Sequence, residues 1–171
     1  MDLTFLRQSY KDNGLSRKEL NSDPFIQFKK WFDEASSSEP IPNAMSLSTS
    51  SSYGEPSLRT VLLKKFDKNG FVFFSNYQSR KAYQIKNNPK VALLFHWIAL
   101  ERQVSIEGVI EKVNKSESQQ YFNSRPRGSQ LGAWVSEQSK ILTSRKVLEN
   151  KLKELKLRFL EKSIPVPDFW G

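Results

Sequence analysis

The sequence has no cysteine and one histidine, His96, among 171 residues. The first absence excludes a disulfide-stapled scaffold and any zinc or iron–sulfur centre held by thiolates. The second leaves no histidine cluster for a metal and little from which to build a Ser-His-Asp triad. No apolar run approaches the ~20 residues of a membrane-spanning helix. The start, Met1-Asp2-Leu3-Thr4, has neither the basic residues nor the apolar stretch of a secretory signal. No paired-carboxylate pattern and no glycine-rich nucleotide fingerprint stands out. These absences predict a soluble, cytoplasmic protein with no metal and no membrane partner.

What is present is positive charge and aromatic side chains. Twenty-seven Lys and Arg against eighteen Asp and Glu give a net charge of +9. Such a surplus fits phosphorylated ligands, acidic lipid or nucleic acid. Part of it lies between Arg145 and Lys162, where seven basic and three acidic residues read as a solvated helix face. Aromatics at 12% argue against disorder, and the length suits one domain with its own core.

Residues 1–20 are polar, with a turn signal at Asp12-Asn13-Gly14, and read as a flexible N-terminal arm; residues 21–171 read as a single domain. Asp23-Pro24 predicts a helix start, with Phe25, Phe28, Phe32 and Ala35 on one face. Met45, Leu47 and Thr49 alternate with polar residues as in a half-buried strand. Ser57 to Phe66 reads as a second strand, and Asp67-Lys68-Asn69-Gly70 as a hairpin turn into Phe71–Phe74. Gln78 to Asn88 predicts a short helix with Ala82 and Ile85 inward. Val91–Ile98 reads as a central strand and Arg102–Val113 as an alternating one. Ser116 and Gln119 fit a capping box, and Pro126 interrupts the helix that follows. Leu148, Leu152, Leu155 and Phe159 form the stripe of an amphipathic helix. The predicted class is mainly β with peripheral α-helices, a small antiparallel barrel.

Three clusters carry the chemistry. Arg59-Thr60-Val61-Leu62-Leu63-Lys64-Lys65 places cations inside an apolar strand, which is costly unless they meet anions. In a regular strand Arg59 and Lys64 point to opposite faces. They share a ligand only if the strand twists or the ligand wraps its end. Charges that guard an edge strand are an equally open reading. Ser75-Asn76-Tyr77-Gln78-Ser79-Arg80-Lys81 leaves a strand and opens a helix, a place where free N–H groups and cations suit a phosphate. Tyr121 to Gln130, with Arg125-Pro126-Arg127 at its centre, is a second anion candidate, since Arg offers a forked donor and Ser and Tyr add hydroxyls. Gln138-Ser139 follows Trp134, and His96 reads as a satisfied core or interface residue.

Taken in order, these segments resemble one family. They are Arg59-Thr60-Val61-Leu62-Leu63-Lys64, Ser79-Arg80-Lys81-Ala82, Asn87-Asn88-Pro89, Leu100-Glu101-Arg102-Gln103-Val104, Tyr121-Phe122-Asn123-Ser124-Arg125-Pro126-Arg127, Ser129 to Ser136, Gln138-Ser139 and Pro167-Asp168-Phe169-Trp170-Gly171. The chain resembles the pyridoxine/pyridoxamine 5′-phosphate oxidases. The resemblance implies an FMN-binding split β-barrel of Greek-key antiparallel type, working as a homodimer with FMN between subunits. It places FMN on Arg59, Thr60, Val61, Leu62, Leu63, Lys64, Phe74, Ser75, Arg80, Lys81, Gln103, Gln138 and Ser139. It places the vitamin phosphate on Lys64, Tyr121, Arg125 and Ser129, with Arg7 and Tyr10 covering the substrate. The implied reaction oxidises pyridoxine 5′-phosphate or pyridoxamine 5′-phosphate to pyridoxal 5′-phosphate, with O2 as acceptor and H2O2 as co-product. The family continues past Phe-Trp-Gly, and its catalytic Arg and His lie in that continuation, beyond Gly171. A second reading, a non-catalytic FMN- or B6-phosphate-binding protein, follows from that difference. A third, a basic nucleic-acid-binding barrel, rests on charge and aromatics alone.

Overall fold

The computed structural model describes residues 1–7, 9 and 14–171. The first helix, α1 (Pro24–Ser38), starts where the Asp-Pro pair predicts. The Asp23 carboxylate accepts from the N–H groups of Phe25 and Ile26, and Pro24 takes the position whose N–H has no helical partner. Six strands follow in two antiparallel groups. β1 (Ala44–Ser50), β2 (Pro56–Leu62), β5 (Lys90–Trp97) and β6 (Arg102–Val109) form one sheet in the order β2-β1-β5-β6. β3 (Lys65–Asp67) and β4 (Gly70–Val72) form a separate hairpin. In its turn the positive φ falls on Gly70, at 141°, rather than on Asn69.

The alternation read in Met45, Leu47 and Thr49 is the inner face of β1, each residue at most 2% exposed. From β5, Leu93, Phe95 and Trp97 join it. Phe28 of α1 seals this core: its ring lies 4.8–5.1 Å from those of Phe66, Phe71 and Phe95. Edge-on ring contacts at this spacing are favourable beyond the area they bury.

α2 (Arg80–Asn87) is capped by Ser79, whose Oγ accepts from the Ala82 N–H. Its inward face differs from the expected one. Ala82 and Ile85 are half-buried, whereas Lys81 and Gln84 are buried. The helical half of the chain holds α3 (Lys115–Ser124), α4 (Arg127–Val135) and α5 (Arg145–Arg158). Asn114, not Ser116, caps α3: its Oδ1 accepts both the Glu117 N–H at 2.7 Å and the Ser116 hydroxyl. Phe122, Leu131, Leu155, Phe159, Ile164 and Trp170 make a second core. The last residues return to the sheet side of the molecule. Ser75 and Gly171 exchange both backbone hydrogen bonds, at 2.7 and 3.1 Å, and the Tyr77 N–H donates to Phe169 O.

The expectation of a mainly β protein is therefore corrected. Helices hold more residues than strands, and among the described residues the sheet is open, with β2 and β6 as its edges. The protein is a mixed α/β fold with antiparallel sheets. No helix of the described residues is long and apolar enough to cross a membrane.

Candidate functional site

β2 leaves its sheet abruptly. Through Leu62 it pairs with β1, but the Lys64 N–H donates to Val72 O in β4, at 2.8 Å. Asn43 holds the crossing point, accepting from the Leu63 N–H and donating to its carbonyl. Leu63 drops into the core, 4% exposed. This change of partner ends the regular alternation, so Arg59 and Lys64 line the same cavity instead of opposite faces. The cavity measures about 970 Å³ and lies between the two cores. Consecutive residues 57–62 all line it, which both faces of a strand do only where a cavity runs along the strand's edge.

Among the described residues five cations line the cavity, Arg59, Lys64, Arg80, Lys81 and Arg125, and no Asp or Glu does. Among the described residues none of the five forms an ion pair. They fall into two groups. In the first, Arg59 donates to Leu47 O, Thr49 Oγ1 and Ser57 Oγ at 2.5–2.9 Å. Lys81 Nζ donates to Gln138 Oε1 at 2.6 Å, to Ser75 Oγ at 2.9 Å and to Ser79 Oγ at 3.1 Å. Every acceptor is neutral. Burial, and then the neighbouring Arg80, pull the Arg59 pKa down; burial, and then Arg59, do the same to Lys81. Ser139, beside this group, has φ of 70°, a left-handed backbone that few non-glycine residues adopt.

The second group, Lys64 and Arg125, lies against an aromatic wall. The Phe74, Tyr121 and Trp170 rings stack within 21° of parallel, with centroids 4.2–6.0 Å apart. Lys64 Nζ sits 5.8 Å from the Tyr121 ring centre, and the Arg125 guanidinium 4.8 Å from that of Trp170. Arg125 Nη1 is buried with no hydrogen-bond partner among the described residues. Burial lowers the Arg125 pKa, and Tyr121 partly restores it. A buried guanidinium donor left open is costly, and an anion in the cavity would remove that cost.

The fold thus gathers Arg59, Thr60, Val61, Leu62, Lys64, Phe74, Ser75, Arg80, Lys81, Tyr121, Arg125, Ser129, Gln138 and Ser139 around one space. It does not bring the other expected residues there. Leu63 is core. Gln103 is exposed on β6, the far edge of the sheet, opposite His96. Arg7 is exposed and donates to Thr4 O, and Tyr10 lies outside the described residues. The Arg-Pro-Arg break separates its two arginines. Arg125 enters the cavity, while Arg127 caps α5 by donating to Phe159 O and Lys162 O. Gln130 Nε2 holds the break by donating to the carbonyls of Phe122, Asn123 and Arg125. Trp170, Ser57 and the buried Thr49 and Gln84 behind Arg59 were not expected at the site. Of these only Thr49 carried a signal in the sequence, a polar residue at a position whose period places it inside.

Residues 33–159, well over half of the chain, match the family described as pyridoxamine 5′-phosphate oxidase. The chain belongs to this family. Relatives named pyridoxine/pyridoxamine 5′-phosphate oxidase from Crocosphaera subtropica and Rippkaea orientalis are 60% and 58% identical to it. Those matches cover all of this chain and 80% and 81% of the two relatives. Among solved structures, PhzG from Burkholderia lata 383, in complex with tetrahydrophenazine-1-carboxylic acid, superposes with a TM-score of 0.85 at 24% identity. That match covers 92% of this chain and 79% of that one. A pyridoxamine 5′-phosphate oxidase-related, FMN binding protein from Nostoc punctiforme matches with a TM-score of 0.61 at 16% identity, over 76% of this chain and 73% of its own. These two likenesses show the fold alone; the family rests on the match over residues 33–159 and on the 60% and 58% identical relatives.

Proposed function

We propose that this protein binds FMN and oxidises pyridoxine 5′-phosphate or pyridoxamine 5′-phosphate to pyridoxal 5′-phosphate. The observation that carries this reading is a carboxylate-free cavity with two separate groups of cations. Two phosphate esters, one on the cofactor and one on the substrate, need two such groups. The residues fit FMN. Arg59, Arg80 and Lys81, with Ser75, Gln138 and Ser139, supply cations and hydrogen-bond donors for its phosphate. The free edge of β2, from Thr60 to Leu62, offers main-chain N–H and C=O groups to the rim of a flat heteroaromatic ring. Phe74 supports the ring's flank.

Lys64, Tyr121, Arg125 and Ser129 would then hold the vitamin phosphate, and two separate anchors would fix the substrate relative to the cofactor. Arg7 and Tyr10 cover the substrate from the N-terminal segment. FMN supplies the two-electron chemistry, with O2 as terminal acceptor and H2O2 as co-product; with the amine substrate, water enters and ammonia leaves. The chain itself contributes binding, orientation and exclusion of water. Gln103 sits three strand spacings, roughly 14 Å, from β2. It serves this cofactor from a second copy of the chain, and the working unit is a homodimer.

The test is flavin retention followed by turnover. The protein is loaded with FMN, desalted and read by absorbance, then given pyridoxamine 5′-phosphate or unphosphorylated pyridoxamine while peroxide is measured. Stoichiometric flavin and peroxide from the phosphorylated substrate are expected. Flavin without peroxide would favour the non-catalytic binder, and a folded protein that retains no FMN would overturn the reading.

A further inference from the structure

Behind Arg59 lies a polar knot that no part of the oxidation itself requires. Gln84, on α2, is 4% exposed, and Thr49, on β1, is 2% exposed. Gln84 Oε1 accepts from Thr49 Oγ1 and from Ser57 Oγ, each at 2.6 Å. The same two hydroxyl oxygens accept from Arg59, Thr49 from Nη1 at 2.7 Å and Ser57 from Nη2. A hydroxyl carries one hydrogen. With that hydrogen directed at Gln84, only lone pairs face the guanidinium. One amide oxygen therefore sets the direction of two hydroxyls at once.

The count of N–H groups gives the consequence. Arg59 has five. Nη1 uses two, on Thr49 and Leu47 O, and Nη2 uses one, on Ser57. Two N–H groups remain without a partner among the described residues, the number a phosphate takes in a forked grip. Held at three points, the guanidinium cannot turn the spent face toward the cavity. Arg80 and Lys81 repel it, so without the knot it would swing away from them and from the anion.

We propose that Gln84, acting through Thr49 and Ser57, is the positioning residue that fixes Arg59 for the flavin phosphate and so sets the preference for FMN over riboflavin. The inference rests on the FMN reading above and deepens it. The test compares dissociation constants of FMN and riboflavin for the full chain, by quenching of flavin fluorescence. Gln84→Met keeps the length and removes the acceptor. About tenfold weaker FMN binding is expected, the loss typical of a misdirected hydrogen bond to a charged group, with riboflavin changed less than twofold. Ser57→Ala removes one of the two hydroxyls and should weaken FMN severalfold with the same selectivity; it carries the test if Gln84→Met does not fold. In an Arg59→Met background the Gln84 change should add nothing, which a role in general packing would not produce. Equal weakening of both flavins, or unchanged FMN affinity, would overturn the inference. Wild-type protein that binds FMN no better than riboflavin would instead overturn the placement of the phosphate on which it rests.

Discussion

Arg125 offers a perturbation that should leave ligand-free stability almost unchanged while it weakens binding. Its Nη1 is buried without a partner, and its guanidinium rests over Trp170 at 4.8 Å and Phe122 at 5.7 Å. Arg125→Met keeps the apolar stem and removes the charge. The ligand-free protein loses two ring contacts, together worth about 1–2 kcal/mol. It also loses an unsatisfied buried donor, which costs about 1–3 kcal/mol while present. These nearly cancel, so the ligand-free melting temperature should move by no more than about 4 °C, the equivalent of ~1 kcal/mol in a chain of this size.

Binding should respond differently. At a hundredfold excess over its dissociation constant, pyridoxal 5′-phosphate stabilises wild-type protein by about 2.7 kcal/mol. Losing a charged donor to the phosphate costs about 1.5–3 kcal/mol of that affinity, enough to remove about half or more of the shift at the same ligand concentration. The assay is thermal unfolding of both proteins with pyridoxal 5′-phosphate, and with pyridoxal as the control that lacks the phosphate. Wild type should show a phosphate-dependent rise and Arg125→Met about half of it or less. If Arg125→Met melts about 8 °C or more lower without ligand, the guanidinium is a structural tie and the reasoning fails. It fails equally if the variant keeps the full phosphate-dependent rise.

Lys81 predicts a pH dependence. Burial, then Arg59, hold its folded pKa below the usual lysine value. Between the folded and unfolded values the unfolded chain binds more protons, so ligand-free stability should rise with pH across that alkaline window. FMN affinity should fall over the same window as the ammonium is lost, while riboflavin affinity stays flat; a flat FMN profile in the wild type would refute this. At the start of α3, Asn114→Ala should cost about 1 kcal/mol and Ser116→Ala a few tenths, by denaturant unfolding; the reverse order would restore Ser116 as the cap. Gly171→Ala places a Cβ 2.0 Å from the Tyr77 hydroxyl oxygen and 2.6 Å from Cζ. It should lower stability by about 1–3 kcal/mol through that overlap, and Tyr77→Ala should relieve it; a neutral Gly171→Ala would show that the 75–77 and 169–171 pairing yields freely.

Local chemistry made much of this legible in advance. Asp23-Pro24 can do little but start a helix, and the alternation at Met45, Leu47 and Thr49 has one inward face. Pro126 breaks the helical run because it lacks an N–H. The anion clusters were visible because cations among apolar residues need a reason. Most of what escaped was decided by contacts distant in sequence, the cap of α3 being the local exception. Ser116 lost the cap to Asn114 because a side chain two residues earlier reaches both the Glu117 N–H and the Ser116 hydroxyl. Lys81 and Gln84 outrank Ala82 and Ile85 on the inner face of α2 because Gln138 and Thr49, far along the chain, supply acceptors and donors there. The two arginines of Arg-Pro-Arg are alike in sequence; only the open carbonyls at the end of α5 draw Arg127 away. The barrel was inferred from a succession of short strands, and strand signals say nothing of whether the edges β2 and β6 meet.

The same long-range contacts explain how a cavity with five uncompensated cations survives folding. Each cation stands on a rigid element anchored away from the cavity. Arg59 is on a strand paired along its length with β1, Lys64 is tied to β4, and Arg80 and Lys81 begin a capped helix. Arg125 is held between α3 and α4 by the three hydrogen bonds of Gln130. Mutual repulsion cannot spread them without breaking those ties, so the charges stay gathered and their cost is borne by the two apolar cores on either side. An anion that enters finds the donors already in place and recovers that cost as affinity, because little ordering remains to be done when it binds. The buried Nη1 of Arg125, with no partner among the described residues, is the most direct mark of this arrangement, and it is the donor that the proposed function assigns to a ligand phosphate.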